Sequence, residues 1–492
     1  MTGTIRHEPG GTVARSDRRR RRRVWPWVAG VVALVLVGGG AAAYRTDPAH
    51  DWADHWVDRW LGHEATTPLT APVPGFTPPP APTPRSVARP APEGRPTESA
   101  VRRALGAALH DPHLADLRAV VAAPAGRPVL DLGHGTSTPA STLKLLTSTA
   151  ALEALGPDRT FATRVVASGH GRITLVGGGD PFLAGKQPAE GPARHDASLQ
   201  TLARLTAADL RHRGVTSIRL SYDDTLFTGP AVNPHWPQDY VPDDVVTPIT
   251  ALWADEGLDP RGYGRVADPP ATAAALFAGF LRRDGVRVAP AIGEQQAKPH
   301  AREVAHVESP PVADVVERTL QYSDNEGAEV LARQVGLEVS GRASYAGGVA
   351  GVRKTLQGLG IDLSDATIQD GSGLSRHDRL DAATLVRVLQ VAASPDHPEL
   401  RSVLTGLPVA AYDGSLASRF TATSGGGTTG RGLVRAKTGT LTGTSALAGT
   451  TTDARGRLLV FAFVSNHVKY AETLDTRAAL DRLSAALATC RC

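Results

Sequence analysis

The spacing of apolar positions changes along this chain, and each change marks an element. Residues 24–44 form an almost unbroken apolar run of 21 residues, long enough to cross a bilayer as a helix. Further on, Thr97, Glu98 and Ser99 can cap a helix running to about His110. Strand-like runs over 118–123 and 128–132 then predict two strands around the turn Pro124-Ala125-Gly126. A second helix is predicted from Ser141. It is apolar at Leu143, Leu145, Leu146, Leu152 and Leu155 and stops at Gly156-Pro157. Because its apolar residues lie on several sides, it is expected to be buried.

From 160 to 300 the pattern shortens to strand-like runs at 161–167, 173–176 and 215–222, with frequent Gly, Pro and Asp and few strong helical stretches. This predicts a β-rich insertion. Helical spacing returns at 312–335, 346–359 and 382–392, and strands follow at 433–438, 445–451 and 458–464. The glycines at 425–427 read as a flexible hairpin rather than a phosphate cradle, since no helix follows them. There are no internal repeats. The expected divisions are a tail at 1–23, a span at 24–44, a connecting segment at 45–96, a first domain part at 97–160, the insertion at 161–300 and a second domain part at 301–492.

Charge bears on the first three divisions. Residues 1–23 carry eight arginines against Glu8 and Asp17, a net of +6, so the rest of a chain of net +4 is slightly acidic. The basic character belongs to the tail and does not form a nucleic-acid surface. Arginines before an apolar run keep that end in the cytoplasm, so the reading is a single-pass membrane protein with everything after Tyr44 outside. A cleaved leader is the alternative, with Ala41-Ala42-Ala43 as its cleavage site. Trp52, Trp56 and Trp60 recur every fourth residue, as a face at the membrane interface or one packed on the protein body. Eleven prolines between 68 and 96 predict an extended spacer. The two cysteines, Cys490 and Cys492, exclude a disulfide framework and read as an idle tail.

The chemistry begins at Ser141-Thr142-Leu143-Lys144. Three residues apart on a helix, a serine and a lysine share a face, so the amine can reach the hydroxyl. A serine alkoxide is too basic to exist free at neutral pH, and a lysine can serve as base only if burial and nearby positive charge lower its pKa. Alone, this spacing is common on solvated helices. Ser323-Asp324-Asn325 follows 182 residues after Ser141, at the head of a helical stretch, and Lys437-Thr438-Gly439 comes 112 residues after Asn325, on a predicted strand. These three motifs in this order are the set of serine β-lactamases and penicillin-binding proteins. Only six of the 53 basic residues are lysine, and Lys144 and Lys437 are two of them. Arginine cannot give up its proton, so lysine stands where arginine could not serve. The chain has no G-x-S-x-G, H-E-x-x-H or P-loop motif, and His110 and His113 read as ordinary surface histidines. No metal or cofactor is called for.

With these residues in place, the chain resembles the class C low-molecular-mass penicillin-binding proteins, the D-alanyl-D-alanine carboxypeptidase/endopeptidase family, from roughly Ala100 to Leu487. The likeness also rests on Pro139 to Thr147, on Gly178-Gly179-Asp180-Pro181, on Asp223 to Phe227 and on Asp370 to Arg376. It implies an α/β fold of the penicillin-binding-protein/β-lactamase-like transpeptidase type, an antiparallel sheet flanked by helices plus a helical subdomain, with a β-rich insertion. It further implies peptidoglycan stem peptides as substrates and β-lactams as covalent inhibitors. Ser141 would attack the carbonyl between two D-alanines and Lys144 take its proton. Ser323 would relay a proton to the leaving amine, and Asn325 would bind the substrate amide and Lys144. Lys437, Thr438 and Gly439 would hold the carboxylate end, and the N–H groups of Ser141 and Thr440 would form the oxyanion hole. Three features depart from the pattern: a short interval between Ser141 and Ser323, Asp378 where an asparagine is expected, and the long N-terminal segment.

Two rival functions carry sequence arguments against them. A β-lactamase needs a second base, and no E-x-x-L-N-like element lies between the second and third motifs. A penicillin sensor or wall-binding module would not need Lys144, Ser323 and Asn325 intact, and a sensor would carry a larger cytoplasmic domain than 23 residues.

Overall fold

The computed structural model describes residues 94–169, 171–187, 197–259 and 261–492. The basic tail, the apolar run and the Trp-striped, Pro-rich segment up to residue 93 lie outside the described residues, among which no helix is long and apolar enough to cross a membrane.

Chain order begins with helix α1 (Glu98–Leu105), capped by the Thr97 side chain, and strands β1 (Leu117–Ala122) and β2 (Leu130–Leu132). Strands β9 (Arg435–Leu441), β10 (Thr444–Thr452) and β11 (Leu458–Asn466) return from the other end of the sequence. Together they make one antiparallel sheet in the order β2-β1-β11-β10-β9. The strands alternate strictly between two cores, as a period of two requires. Leu459, Phe461 and Phe463 face one side with Val101, Leu105 and the C-terminal helix α10 (Thr473–Ala488). Val460, Ala462 and Val464 face the other, with helix α2 (Lys144–Leu155) and the helical subdomain. A sheet buried on both faces explains why its strands read as continuous apolar runs.

Between α2 and the helical subdomain the chain builds the insertion. Its strands are β3 (Ala162–Gly169), β4 (Arg172–Val176), β5 (Ser217–Asp223), β6 (Arg287–Val288), β7 (Gly293–Glu294) and β8 (Arg302–Glu308). Against this sheet lie α3 (Leu199–His212) and α4 (Pro269–Arg283), which the run of short strand-like segments does not foretell. The boundary expected at 300 falls short of the closing strand β8, which pairs with β3.

The helical subdomain holds α5 (Val312–Tyr322), α6 (Asn325–Ser340), α7 (Tyr345–Gly358), α8 (Ala382–Ala392) and the short α9 (Arg401–Thr405). The helical spacing expected over 312–335 is carried by two helices that break at Ser323, whose φ of 60° is left-handed, and Ser323-Asp324-Asn325 stands at the head of the second, as expected. Asp324 caps α6 by accepting the Gly327 N–H at 2.8 Å. Residues 224–254 follow an irregular path held to α6 and α7 by a separate core of Phe227, Trp236, Tyr240 and Trp253 with Val330 and Tyr345. Arg333, buried, donates to the carbonyls of Thr228, Pro230 and Ala343 and stacks on the Tyr345 ring.

Two readings change at the C-terminal end. Cys490 and Cys492 are not an idle tail: they are joined to each other and buried in the core beneath α1 and α10. The glycines at 425–427 do not form a hairpin but lie in a loop packed on α10, where a Cβ at Gly427 would meet the Asp481 carbonyl at 2.8 Å.

Candidate active site

Ser141 lies in a 3-10 turn (Ala140–Leu143) that leads directly into α2. With three residues per turn, positions i and i+3 are eclipsed, so Lys144 returns under Ser141. The turn is tightly seated. A Cβ at Gly439 on β9 would come within 2.8 Å of the Pro139 carbonyl, and one at Gly373, whose φ is 80°, would collide with the Ala140 carbonyl. Ala140 itself has a φ of 47°, a costly conformation for a residue with a side chain. The backbone at Ser141 is thus fixed between a strand and a loop that can approach only because both present glycine.

Lys144 is fully buried. Its Nζ lies 3.1 Å from Ser141 Oγ, 2.8 Å from Asn325 Oδ1 and 2.8 Å from the Ser372 carbonyl oxygen. The two carbonyl oxygens can only accept, so they use two N–H groups. As an ammonium Lys144 donates to Ser141 Oγ as well; in the neutral amine, with two N–H groups and one lone pair, the lone pair is what is left for the Ser141 hydroxyl. Burial lowers this lysine to about 8, against the opposing pull of Asp370, Glu329, Asp324 and Glu326. Asn325 is oriented from the far side, since its Nδ2 donates to the Val245 carbonyl at 3.0 Å and leaves Oδ1 turned to Lys144.

The second lysine forms a second centre. Lys437 on β9 is also fully buried and donates to Ser323 Oγ at 2.8 Å and to the Thr438 carbonyl at 3.0 Å. Burial, then the charges of Lys144 and Arg419, lower its pKa well below the ordinary lysine range. Thr438 Oγ1 lies 2.9 Å from Ser415 Oγ. Thr440 follows on the same strand, exposed and opposite Ser445 of β10. A cavity of about 690 Å³ opens beside Ser323 and Asn325, walled by Phe182, Val245, Glu256, Arg318 and Tyr322.

The three motifs, far apart in sequence, thus close on one another through direct hydrogen bonds. The model of the D-Ala-D-Ala carboxypeptidase 3 (S13) family matches residues 101–260 and 259–487. The chain belongs to the S13 family. It is a serine-type D-Ala-D-Ala carboxypeptidase by that membership.

The relatives of this S13 enzyme include a carboxypeptidase of Mycobacterium tuberculosis, 35% identical over 81% of this chain and 85% of its own. A D-alanyl-D-alanine carboxypeptidase of Actinomadura sp. is 30% identical over 67% of this chain and 73% of its own. Among solved structures, penicillin binding protein 4 of Haemophilus influenzae covers 78% of this chain and 98% of its own, with a TM-score of 0.63 at 21% identity. That likeness shows the shared fold.

The S13 site also contains groups that sequence reasoning did not place there. Val245 and Ser372 act through backbone carbonyls, which leave no signature in residue type. Ser415 lies in a turn with no motif of its own. The block from Asp370 to Arg376 was legible as a unit, and its structure shows why it is compact. Asp370 accepts the N–H groups of Gly373 and Ser375, each at 2.7 Å, and the Trp236 indole N–H at 2.8 Å. Asp378, fully buried where an asparagine was expected, accepts the Gln369 N–H at 2.7 Å. Burial, then Asp370, push its carboxyl up to about 10, so it is protonated at neutral pH and serves as a neutral group, as an asparagine would.

Proposed function

We propose that the enzyme cleaves peptidoglycan stem peptides through an acyl-enzyme at Ser141. The observation that carries this reading is the environment of Lys144. Two obligate acceptors use its N–H groups, and a third direction leads to the Ser141 hydroxyl 3.1 Å away. A lysine lowered to about 8 is a suitable general base for a reaction near neutrality.

In acylation the Ser141 proton passes to Lys144 as Oγ bonds to the carbonyl carbon of the penultimate D-alanine. The C–N bond then breaks, and a proton returns to the departing amine through Ser323, which lies 2.8 Å from Lys437. Water attacks the ester next and releases the shortened peptide. The developing oxyanion is assigned to the N–H groups of Ser141 and Thr440, a preorganised charge site of the kind that supplies much of such catalysis. Lys437 and Thr438 offer a cation and a hydroxyl to the terminal carboxylate. A β-lactam presents a strained amide beside a carboxylate and fits the same groups. Its ring-opened amine stays tethered, so the adduct persists.

The same reading places the catalytic domain outside the membrane, held by the apolar run at 24–44 behind its arginine-rich tail. Cleavage of a peptide cross-link would use the same acylation steps, with the neighbouring strand as leaving group and the 690 Å³ cavity as room for the bulkier substrate.

The experiment is to incubate purified protein with a stem pentapeptide ending in D-Ala-D-Ala and, separately, with a cross-linked dimer, and to weigh the products. Release of one D-alanine from the pentapeptide is expected. Intact pentapeptide after prolonged incubation would reject the reading.

A further inference from the structure

Glu329 is a fully buried carboxylate with no part in the acylation steps above. It stands one turn after Asn325 on α6, so the two side chains share a helix face. Both of its oxygens are occupied. Oε1 accepts the Gly371 N–H at 3.0 Å and the Ser372 N–H at 2.8 Å, and Oε2 accepts the Gly371 N–H at 3.1 Å. These residues form the turn whose Ser372 carbonyl accepts from Lys144 at 2.8 Å. The Gly371 carbonyl of the same turn accepts from Thr147, one helical turn beyond Lys144 on α2, at 2.6 Å. Asn325 therefore touches the base directly, and Glu329 reaches it through a single residue of backbone.

We propose that Glu329 is a positioning residue for the base: its carboxyl group clamps residues 371 and 372 so that the Ser372 carbonyl takes one Lys144 N–H. The proposal rests on the reading of Lys144 as the base of Ser141. Without the clamp, the Ser372 carbonyl would turn away and the lone pair of Lys144 would lose its fixed direction.

The groups facing this pair come from every element packed around it. Lys144 meets the fields of Asp370, Glu329, Asp324 and Glu326, with the buried Lys437 as the neighbouring lysine. Glu329 meets Asp370, Asp378 and the Tyr345 hydroxyl, over whose ring Arg333 stacks. Burial and then Asp370 push the Glu329 carboxyl up to about 8, against hydrogen bonds from the Ser372 side chain and from the Gly371 and Ser372 N–H groups.

Two variants test the clamp. Glu329→Asp keeps the carboxyl group and is one methylene too short to hold both N–H groups, whereas Glu329→Gln keeps the length and puts an amide nitrogen, which cannot accept, in place of one oxygen. In Glu329→Asp the plateau acylation rate with a fluorescent penicillin is expected to drop at least about tenfold, the cost of a misdirected base, and Glu329→Gln is expected to lose less. With only six lysines in the chain, the Lys144 signal can be followed by NMR in full-length protein carrying 13C-lysine, with Lys144→Arg assigning it. That signal should move in Glu329→Asp, where the Ser372 carbonyl no longer accepts from Lys144. Wild-type acylation together with an unmoved Lys144 signal in Glu329→Asp overturns the proposal. If that variant does not fold, the same pair of results in Glu329→Gln overturns it instead. The NMR readout requires no turnover, so an unlabelled wild type counts against acylation at Ser141 and not against this clamp.

Discussion

The Nζ of Lys144 lies 2.8 Å from Asn325 Oδ1, a contact between side chains 181 residues apart that ties the head of α2 to the head of α6. Because Asn325 is itself held by the Val245 carbonyl, Lys144 is oriented from the inserted segment as well as from the helical subdomain. Lys144→Arg keeps the positive charge but cannot release a proton. Its acylation rate with a fluorescent penicillin is expected to fall at least about a thousandfold. A loss of less than tenfold would mean that another group takes the Ser141 proton.

The pH dependence follows from the direction of the Lys144 shift. A base acts when deprotonated, and burial brings Lys144 down to about 8 from the ordinary lysine range. Acylation is therefore expected to rise with pH and reach half its plateau near pH 8, which a stopped-flow series from pH 5 to 10 would record. A limb near pH 10 would mean that Lys144 is not lowered, and a rate flat from pH 5 to 10 would place it outside the base role.

Asp378 allows a stability test with an unusual sign. Its carboxyl is raised to about 10 in the folded protein, so between the ordinary carboxylate range and pH 10 the unfolded chain ionises this group while the folded chain keeps the proton. Stability from this site is complete at acid pH and is lost as pH rises, by up to about 1.4 kcal/mol per unit. Asparagine does not titrate and can accept the Gln369 N–H in the same way. The Tm gain of Asp378→Asn over wild type is expected to grow from pH 5 to pH 9, with acylation retained. A gain independent of pH would show that Asp378 is ionised in the fold.

Gly373 is required by both its backbone angle and its neighbour. Its φ of 80° and the Ala140 carbonyl beside it leave no space for a methyl group. Gly373→Ala should cost about 1–3 kcal/mol in strain and displacement. Because the group displaced precedes Ser141, acylation should fall by more than the loss of folded protein measured in the same sample.

Behind the sheet, Arg419 and Asp481 form a buried ion pair, with Nη2 to Oδ1 at 2.6 Å and Nε to Oδ2 at 3.2 Å. Asp481→Ala leaves the guanidinium buried without its partner. A loss of about 3–5 kcal/mol is expected in denaturant unfolding.

Much of the site was legible because its chemistry restricts residue type. Lysine, unlike arginine, can give up its proton as well as carry a charge, which made Lys144 and Lys437 conspicuous among arginines. The Ser372 carbonyl and the Val245 carbonyl were invisible for the opposite reason, since any residue supplies a carbonyl. The apolar pattern runs on through the break at Ser323, although Ser323-Asp324-Asn325 reads as the head of a helical stretch. Its signal was Asp324, a capping residue three positions before Gly327. Helices α3 and α4 had similar cues in the Ser198 cap and in Asp268 before Pro269, but alanines in place of larger apolar residues weakened their periodicity. Helix α10 was missed because it is buried on several sides by small residues, and no amphipathic stripe is needed there.

Acylation of Ser141 itself is tested most directly by intact mass spectrometry after exposure to a β-lactam, followed by peptide mapping. Wild-type protein should gain the mass of one inhibitor molecule on the peptide containing Ser141, and Ser141→Ala should gain none. An adduct of equal yield on Ser141→Ala, or one mapped to another serine, would contradict the assignment of the nucleophile.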